Sequence, residues 1–349
     1  MKLRSYVLLV LGVKSGNLMR NKNIDVARGV LMLYIVAVIH GVFWLELIPR
    51  PYSSVLLFEM PLIFLVSGYS FALFSRNTGF KLSLSGYFKY SVSRLTRLLV
   101  PYYGYSLVCV IAVVAYTGDI NMEVIRDWMN PFIYGKVDPF GLLTSHLWFL
   151  PPFIFVTLAL PFLSSVKLPV WSAAIPLCIL VSILGNYFDG NLVTPIFYLY
   201  WTWVGYRLAI DTKIKPKLLI AVIAIGTIAL ILAEYFLDVT IDMQSNKLPP
   251  NLLFFTFSSV WVSVFLLIST FFKSNQLAFL EQSKLLKPFV ARGYSIYLWQ
   301  GIGYILAINI CEFLGLSDYF SWGIAIGLTV LFGIMFSPLE KIRWRFKKA

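Results

Sequence analysis

Residues 218–233 read LLIAVIAIGTIALILA, a run without a charge and with one hydroxyl. A membrane-spanning β-strand is about 10 residues long and alternates apolar with polar side chains. This stretch is apolar on every face. A helix needs about 20 mostly apolar residues to cross the hydrocarbon, and within lipid only a helix or a closed barrel satisfies its own backbone hydrogen bonds. The stretch is therefore a spanning helix.

The same pattern recurs along the chain, at roughly 28–48, 54–74, 98–116, 147–166, 169–188, 191–210, 217–237, 250–272, 293–314 and 319–337. The 349 residues are 59% hydrophobic and only 13% charged, with a mean hydropathy of +0.80, against about 25% charged in soluble domains. These numbers predict an all-α polytopic membrane protein, a single bundle of about ten transmembrane helices. A ten-helix domain over 23–340 is expected, with an N-terminal extension over 1–22 and a basic tail over 341–349. Residues 6–13, YVLLVLGV, imitate a signal-peptide core, but no small-residue cleavage site follows before RNKN, so no cleavage is expected. Met19 is an alternative start.

Net charge is +13, and a basic chain invites a nucleic-acid reading. Position decides against it. With the N-terminus inside, 25 of the 29 Lys and Arg residues fall on the inner side, and only Arg50, Arg126, Lys136 and Lys247 fall outside. That is the positive-inside bias. It implies a multi-pass protein of the inner (cytoplasmic) membrane, both termini cytoplasmic, attracted to anionic lipids and with no nucleic-acid partner. Cys109, Cys178 and Cys311 are odd in number, far apart and set in apolar runs. They read as small buried hydrophobes rather than a disulfide framework or a metal site.

No repeat of 20–50 residues is visible, and the first five spans do not match the last five as an inverted pair, so the common transporter signature is missing. Two connections exceed the usual loop length. The inner segment 75–97 carries basic residues with Tyr87, Phe88 and Tyr90 between them, which suits a helix or hairpin along the membrane surface. The other, 117–146, is placed outside.

Ionisable groups within spans are costly, about 2.5–3.5 kcal/mol at the centre for a charge, and mark function by default. His40, in YIVAVIHGVFW (34–44), is twelve residues beyond Arg28, about 18 Å along a helix. A lone imidazole there either packs as a neutral ring or serves as a general base. Asp25 and Arg28 share a helix face at the inner mouth, as an anchoring ion pair or as part of a site. Arg94 and Arg97 repeat that spacing; two guanidinium groups on one face suit phosphate oxygens, the plain alternative being membrane anchoring. Glu59 lies just inside the outer end of the second span, where Pro61 is expected to free backbone groups that shape a cavity. Ser67, Gly68 and Tyr69 suit close helix packing. His146 opens the fourth span at the outer surface beside Trp148, an aromatic-belt candidate. A cytoplasmic phosphate site with a base well above it fits an acyl-coenzyme A, which has an anionic end and a thin pantetheine arm.

In order along ten spans stand IDVARG (24–29), His40, FEMPLIFLVSGY (58–69), RLTRLLVPY (94–102) and HLWFL (146–150). Together they resemble the acyltransferase family 3 of integral-membrane O-acyltransferases. The look is closest to the branch that includes fucose 4-O-acetylases, over roughly residues 20–340. The resemblance implies transfer of an acyl group, usually acetyl, from cytoplasmic acetyl-CoA (acyl-CoA), as donor substrate rather than bound cofactor. The acceptor would be a hydroxyl of a cell-surface polysaccharide or lipid-linked sugar. It also implies that His40 and Arg28, the latter beside Asp25, are essential, and that Arg94 and Arg97 meet the donor. Glu59, His146 and Trp148 are the acceptor-side candidates. Residue 59 is Glu where that branch often has His, and SIYLWQ (295–300) ends in Gln300 where many members carry His. Glycan-assembly partners would be separate chains. The rival reading is a transporter or flippase for a lipid-linked sugar, which the missing repeat and the few buried charges oppose.

Overall fold

The computed structural model describes residues 22–168, 190–210, 215–237, 241–271, 277 and 279–342, with the single positions 174, 177 and 180. Among these the regular structure is helical, apart from an isolated bridge between Lys247 and Pro250. In chain order the main helices are α1 (Lys22–Trp44), α2 (Glu59–Thr78), α3 (Leu84–Thr117), α4 (Met122–Met129), α5 (Leu150–Leu163) and α6 (Gly190–Ile210). They continue with α7 (Pro216–Leu237), α8 (Leu252–Ser269), α9 (Lys287–Leu314) and α10 (Asp318–Phe336). Among the described residues seven helical segments, all but α4, α5 and α6, are long and apolar enough to cross a membrane. The chain is an all-α polytopic membrane protein. The span expected over 169–188 and nearly all of the expected extension and tail fall outside the described residues.

The helices group into two compact units. The first holds the chain up to Leu31, Ile48–Leu82 and Ala159–Leu286. Within it α2 packs along α6, and α7 along α8. In its apolar window α2 is 72% buried and α7 only 6%, so α2 is an interior helix and α7, packed on α8, is otherwise largely exposed. The contact of α2 with α6 is built on two glycines. A Cβ on Gly68 would lie 1.7 Å from the Thr202 carbonyl oxygen, and one on Gly205 1.8 Å from that of Leu65. Such backbone approach is open only to residues without a side chain. Pro61 sits in the first turn of α2, where the N–H that proline lacks would have had no helical partner.

The second unit holds Met32–Leu47, Ser83–Leu158 and the chain from Lys287 on. The basic segment before the third span is not a separate surface element. Ser83 caps a helix start by accepting from the Gly86 N–H, and α3 then runs for 34 residues without a break. Between Leu84 and Pro101 there is only an early glycine to stop it. Tyr87 and Tyr90 donate to the carbonyls of Leu158 and Thr157. Pro161, four residues after Thr157, has no N–H to close that turn, and the Tyr90 hydroxyl takes its place.

The segment 117–146 is folded against α3. Tyr102 donates to Trp128 O, Trp128 Nε1 to Val137 O, and Tyr105 to Leu143 O. Asp138 accepts from the N–H groups of Phe140, Gly141 and Thr144 and from the Thr144 hydroxyl. Lys136 is buried beneath this turn and donates to the carbonyls of Asp127 and Asn130. Burial lowers its pKa from 10.5 to about 8, against the pull of Asp127.

Further on, α9 bends at Arg292 (φ −142°, ψ 26°). Just past the bend, the Ser295 N–H donates to the Glu340 carboxylate. Along the rest of its length α9 packs on α10. Gly303 meets the Thr329 backbone, Gly333 meets Ile296, and Trp299 stacks on Phe336 at 3.7 Å.

Two outcomes follow from this packing. Gly68→Ala separates α2 from α6 and lowers thermal stability by roughly 1–3 kcal/mol, the usual cost of overpacking; an unchanged melting temperature refutes the close contact. For Lys136, the unfolded chain keeps its proton up to pH 10.5 while the folded one releases it near pH 8. Stability therefore rises with pH across that window, and melting curves of Lys136→Gln should lose this slope.

Candidate functional site

α1 is not an α-helix throughout. Residues Tyr34–Ile39 form a π turn, and the His40 N–H closes it on the Ile35 carbonyl five residues back. Such turns are rare and frequent at functional sites. Here two side chains of the same unit reach into the turn. The Tyr304 hydroxyl donates to Val36 O at 2.7 Å, and Trp322 Nε1 donates to Ala37 O at 2.6 Å. A carbonyl has two lone pairs, so these oxygens accept the extra bonds while the helix continues. Gly41 makes room for both donors: a Cβ there would lie 2.4 Å from Trp322 Nε1 and 3.3 Å from the Tyr304 hydroxyl.

His40 follows directly, half-buried. Its Nδ1 lies 2.6 Å from Gln300 Oε1, and its ring stacks on Trp44 at 4.3 Å with an interplanar angle of 20°. Tyr297 is 6.0 Å away, ring to ring. The three α9 side chains Tyr297, Gln300 and Tyr304 thus meet α1 from positions i, i+3 and i+7, which is one face of a helix. Gly301 fixes the depth of that face, because a Cβ there would be 2.7 Å from the Tyr105 hydroxyl and 2.8 Å from Leu142 O.

His146 is not an outer-surface residue. It is fully buried, edge-on to Trp44, Tyr105 and Tyr297 at 5.9, 5.6 and 5.4 Å. The Asp138 turn folds the preceding segment inward, and His146 Nε2 donates to Leu298 O at 3.0 Å while Tyr297 donates to His146 O at 2.6 Å. The chain's two histidines are therefore collected around one pair of rings, Trp44 and Tyr297.

The other sequence candidates are placed as follows. Arg28 pairs with Asp25 at 3.4 Å in the first unit, with the arginine side chain 43% exposed. Arg94 lies over the Tyr90 ring at 5.5 Å, and both it and Arg97 are half-buried on α3. Tyr294 of α9 donates to Leu98 O, beside Arg97. Six residues separate Tyr294 from Gln300, so along α9 the arginine level and the His40 level are about 9 Å apart. Trp148 is half-buried. Glu59 is buried in the first unit, with Oε2 making no hydrogen bond among the described residues. Its electrostatic partner there is buried Lys247, whose pKa burial pushes down against the attraction of Glu59. Within electrostatic reach of Lys247, Arg50 donates to Asp242 and Ser245.

Tyr297, Gln300, Tyr304 and Trp322 carry the geometry at His40, and reasoning from the sequence singles out none of them as site residues. The signal for three of them is present in IYLWQGIGY (296–304), where hydrogen-bonding side chains recur at helical spacing in an otherwise apolar span.

The family model for an acyltransferase domain, acyltransferase family 3, matches residues 21–337. The chain belongs to that family. No curated protein and no solved structure matches it.

Replacing both Tyr304 and Trp322 by Phe removes the two donors that hold the π turn, at about 0.5–1.5 kcal/mol each. Relaxation to α geometry rotates His40 about 100° around the helix axis, away from Gln300. Acyl transfer should then fall severalfold or more in a protein that still inserts and folds; unaltered transfer shows that the turn is incidental.

Proposed function

We propose that this acyltransferase moves an acyl group, usually acetyl, from cytoplasmic acyl-coenzyme A to a hydroxyl of a cell-surface polysaccharide or lipid-linked sugar. The observation that carries the reading is His40 at the end of a braced π turn. The ring is held by Gln300 and Trp44, while Arg94 and Arg97 lie on a helix of the same unit.

In this reading the donor's phosphates rest on Arg94 and Arg97, whose fork geometry suits phosphate oxygens. The pantetheine arm covers the step of about 9 Å between the arginines and His40. His40 then takes the proton of the acceptor hydroxyl as that oxygen attacks the thioester carbonyl. The carbon–sulfur bond breaks, the imidazolium returns its proton to the departing thiolate, and the products are an O-acyl sugar and free coenzyme A. Trp148, on the same unit as His40, is assigned to acceptor hydroxyls. His146, with its Nε2 given to Leu298 and its carbonyl to Tyr297, serves as a brace. Both termini are placed in the cytoplasm of a cell whose inner membrane holds the protein.

The deciding measurement uses purified protein, acetyl-coenzyme A and a glycan acceptor, with free thiol as the readout. Wild type releases thiol; His40→Ala releases none at normal membrane level, and Arg94→Ala with Arg97→Ala raises the donor concentration needed. A carrier of lipid-linked sugar would release no thiol in any variant, and activity retained in His40→Ala removes the base.

A further inference from the structure

The geometry points to Gln300 as the residue that fixes which nitrogen of His40 is the base. The inference rests on the acyl-transfer reading and adds a positioning residue to it. Neutral imidazole has one N–H and one lone pair, and the hydrogen bond made by one nitrogen decides the role of the other. Gln300 presents Oε1 to Nδ1 at 2.6 Å. A carbonyl oxygen only accepts, so Nδ1 carries the proton and Nε2 keeps the lone pair that can receive one from a hydroxyl.

Three features make this contact a positioning device rather than a chance neighbour. Gln300 is fully buried, so water does not compete for its carbonyl. Its backbone is pressed against Tyr105 and Leu142 through Gly301. Its flanking stripe partners Tyr297 and Tyr304 are each anchored, to His146 O and Val36 O. On the other side of the ring, Trp44 sets the plane by stacking. The imidazole is thus held in tilt by Trp44 and in spin by Gln300, with Nε2 as the nitrogen that Gln300 does not engage. The partner is an amide, which orients the ring and adds no formal charge. A carboxylate in its place would also stabilise the imidazolium.

The Gln300 amide nitrogen makes no hydrogen bond among the described residues. The opposite amide orientation would put that nitrogen on Nδ1 and reverse the tautomer, so the two arrangements differ in an observable. The chain has two histidines, and nitrogen NMR of imidazole-labelled full-length protein in a membrane mimetic therefore shows two rings, with His146→Gln identifying the second. The expected result is His40 in the Nδ1–H form. In Gln300→Leu that signature is lost, and kcat for acetyl transfer falls by roughly 10- to 100-fold, by analogy with the loss of a partner that orients a metal-bound histidine, at unchanged KM for the donor. Gln300→Glu retains an acceptor at this position and recovers kcat together with the Nδ1–H ring. An Nε2–H His40 in wild type overturns the proposal, and so does full kcat in Gln300→Leu. The tautomer is read without turnover, so it stands or falls separately from the loss of transfer in His40→Ala.

Discussion

The hydrogen bonds from Tyr304 and Trp322 into the π turn of α1 are the constraint from which the site geometry follows. Each is an ordinary donor–carbonyl bond of about 1 kcal/mol net. Their effect is larger than that value suggests, because together they select a backbone register. A π turn carries one residue more than the α turn it replaces, so every side chain after it faces a different direction. His40 is the first residue after the turn, and its meeting with Gln300 and Trp44 depends on that rotation. Gly41 belongs to the same device, since its missing side chain is the space that both donors occupy.

Packing elsewhere serves this arrangement. α9 brings Tyr297, Gln300 and Tyr304 to α1 on one face, and glycines on other faces let it sit deep against α10 and the segment before His146. The bend at Arg292 and the Glu340 cap start this straight length of helix at a defined point. Buried aromatic edges surround the two histidines. Interiors packed at this density do not deform continuously, so the ring geometry is a property of the whole unit.

The membrane fold was legible because it rests on composition and run length: LLIAVIAIGTIALILA has no second reading once its polar positions are counted. The family was legible as well, from IDVARG, His40, the stretch around Pro61 and the paired arginines standing in order. The placement of His146 was not. Its position at the start of an apolar run suggested the surface, and the inward fold of the segment before it depends on Asp138 collecting N–H groups that no pattern announces. The bracing of His40 was hidden for a different reason. A π turn leaves no mark in hydrophobic periodicity, and its donors lie 268 and 285 residues from their acceptors. Gln300 stands out in the sequence as a departure from the family pattern, but a departure does not reveal which side chain it will face.

That separation in sequence has a consequence for how the protein is made. Synthesis proceeds from the N-terminus, so α1 enters the bilayer long before Tyr304 and Trp322 exist. Until they arrive, nothing holds the wider turn open, and ordinary α geometry is the lower-energy state for the nascent segment. The chemistry at His40 is thereby deferred: α1, the first of the described helices to be made, reaches its working shape only once α9 and α10 exist, and an unfinished chain on the ribosome carries an imidazole without its orientation.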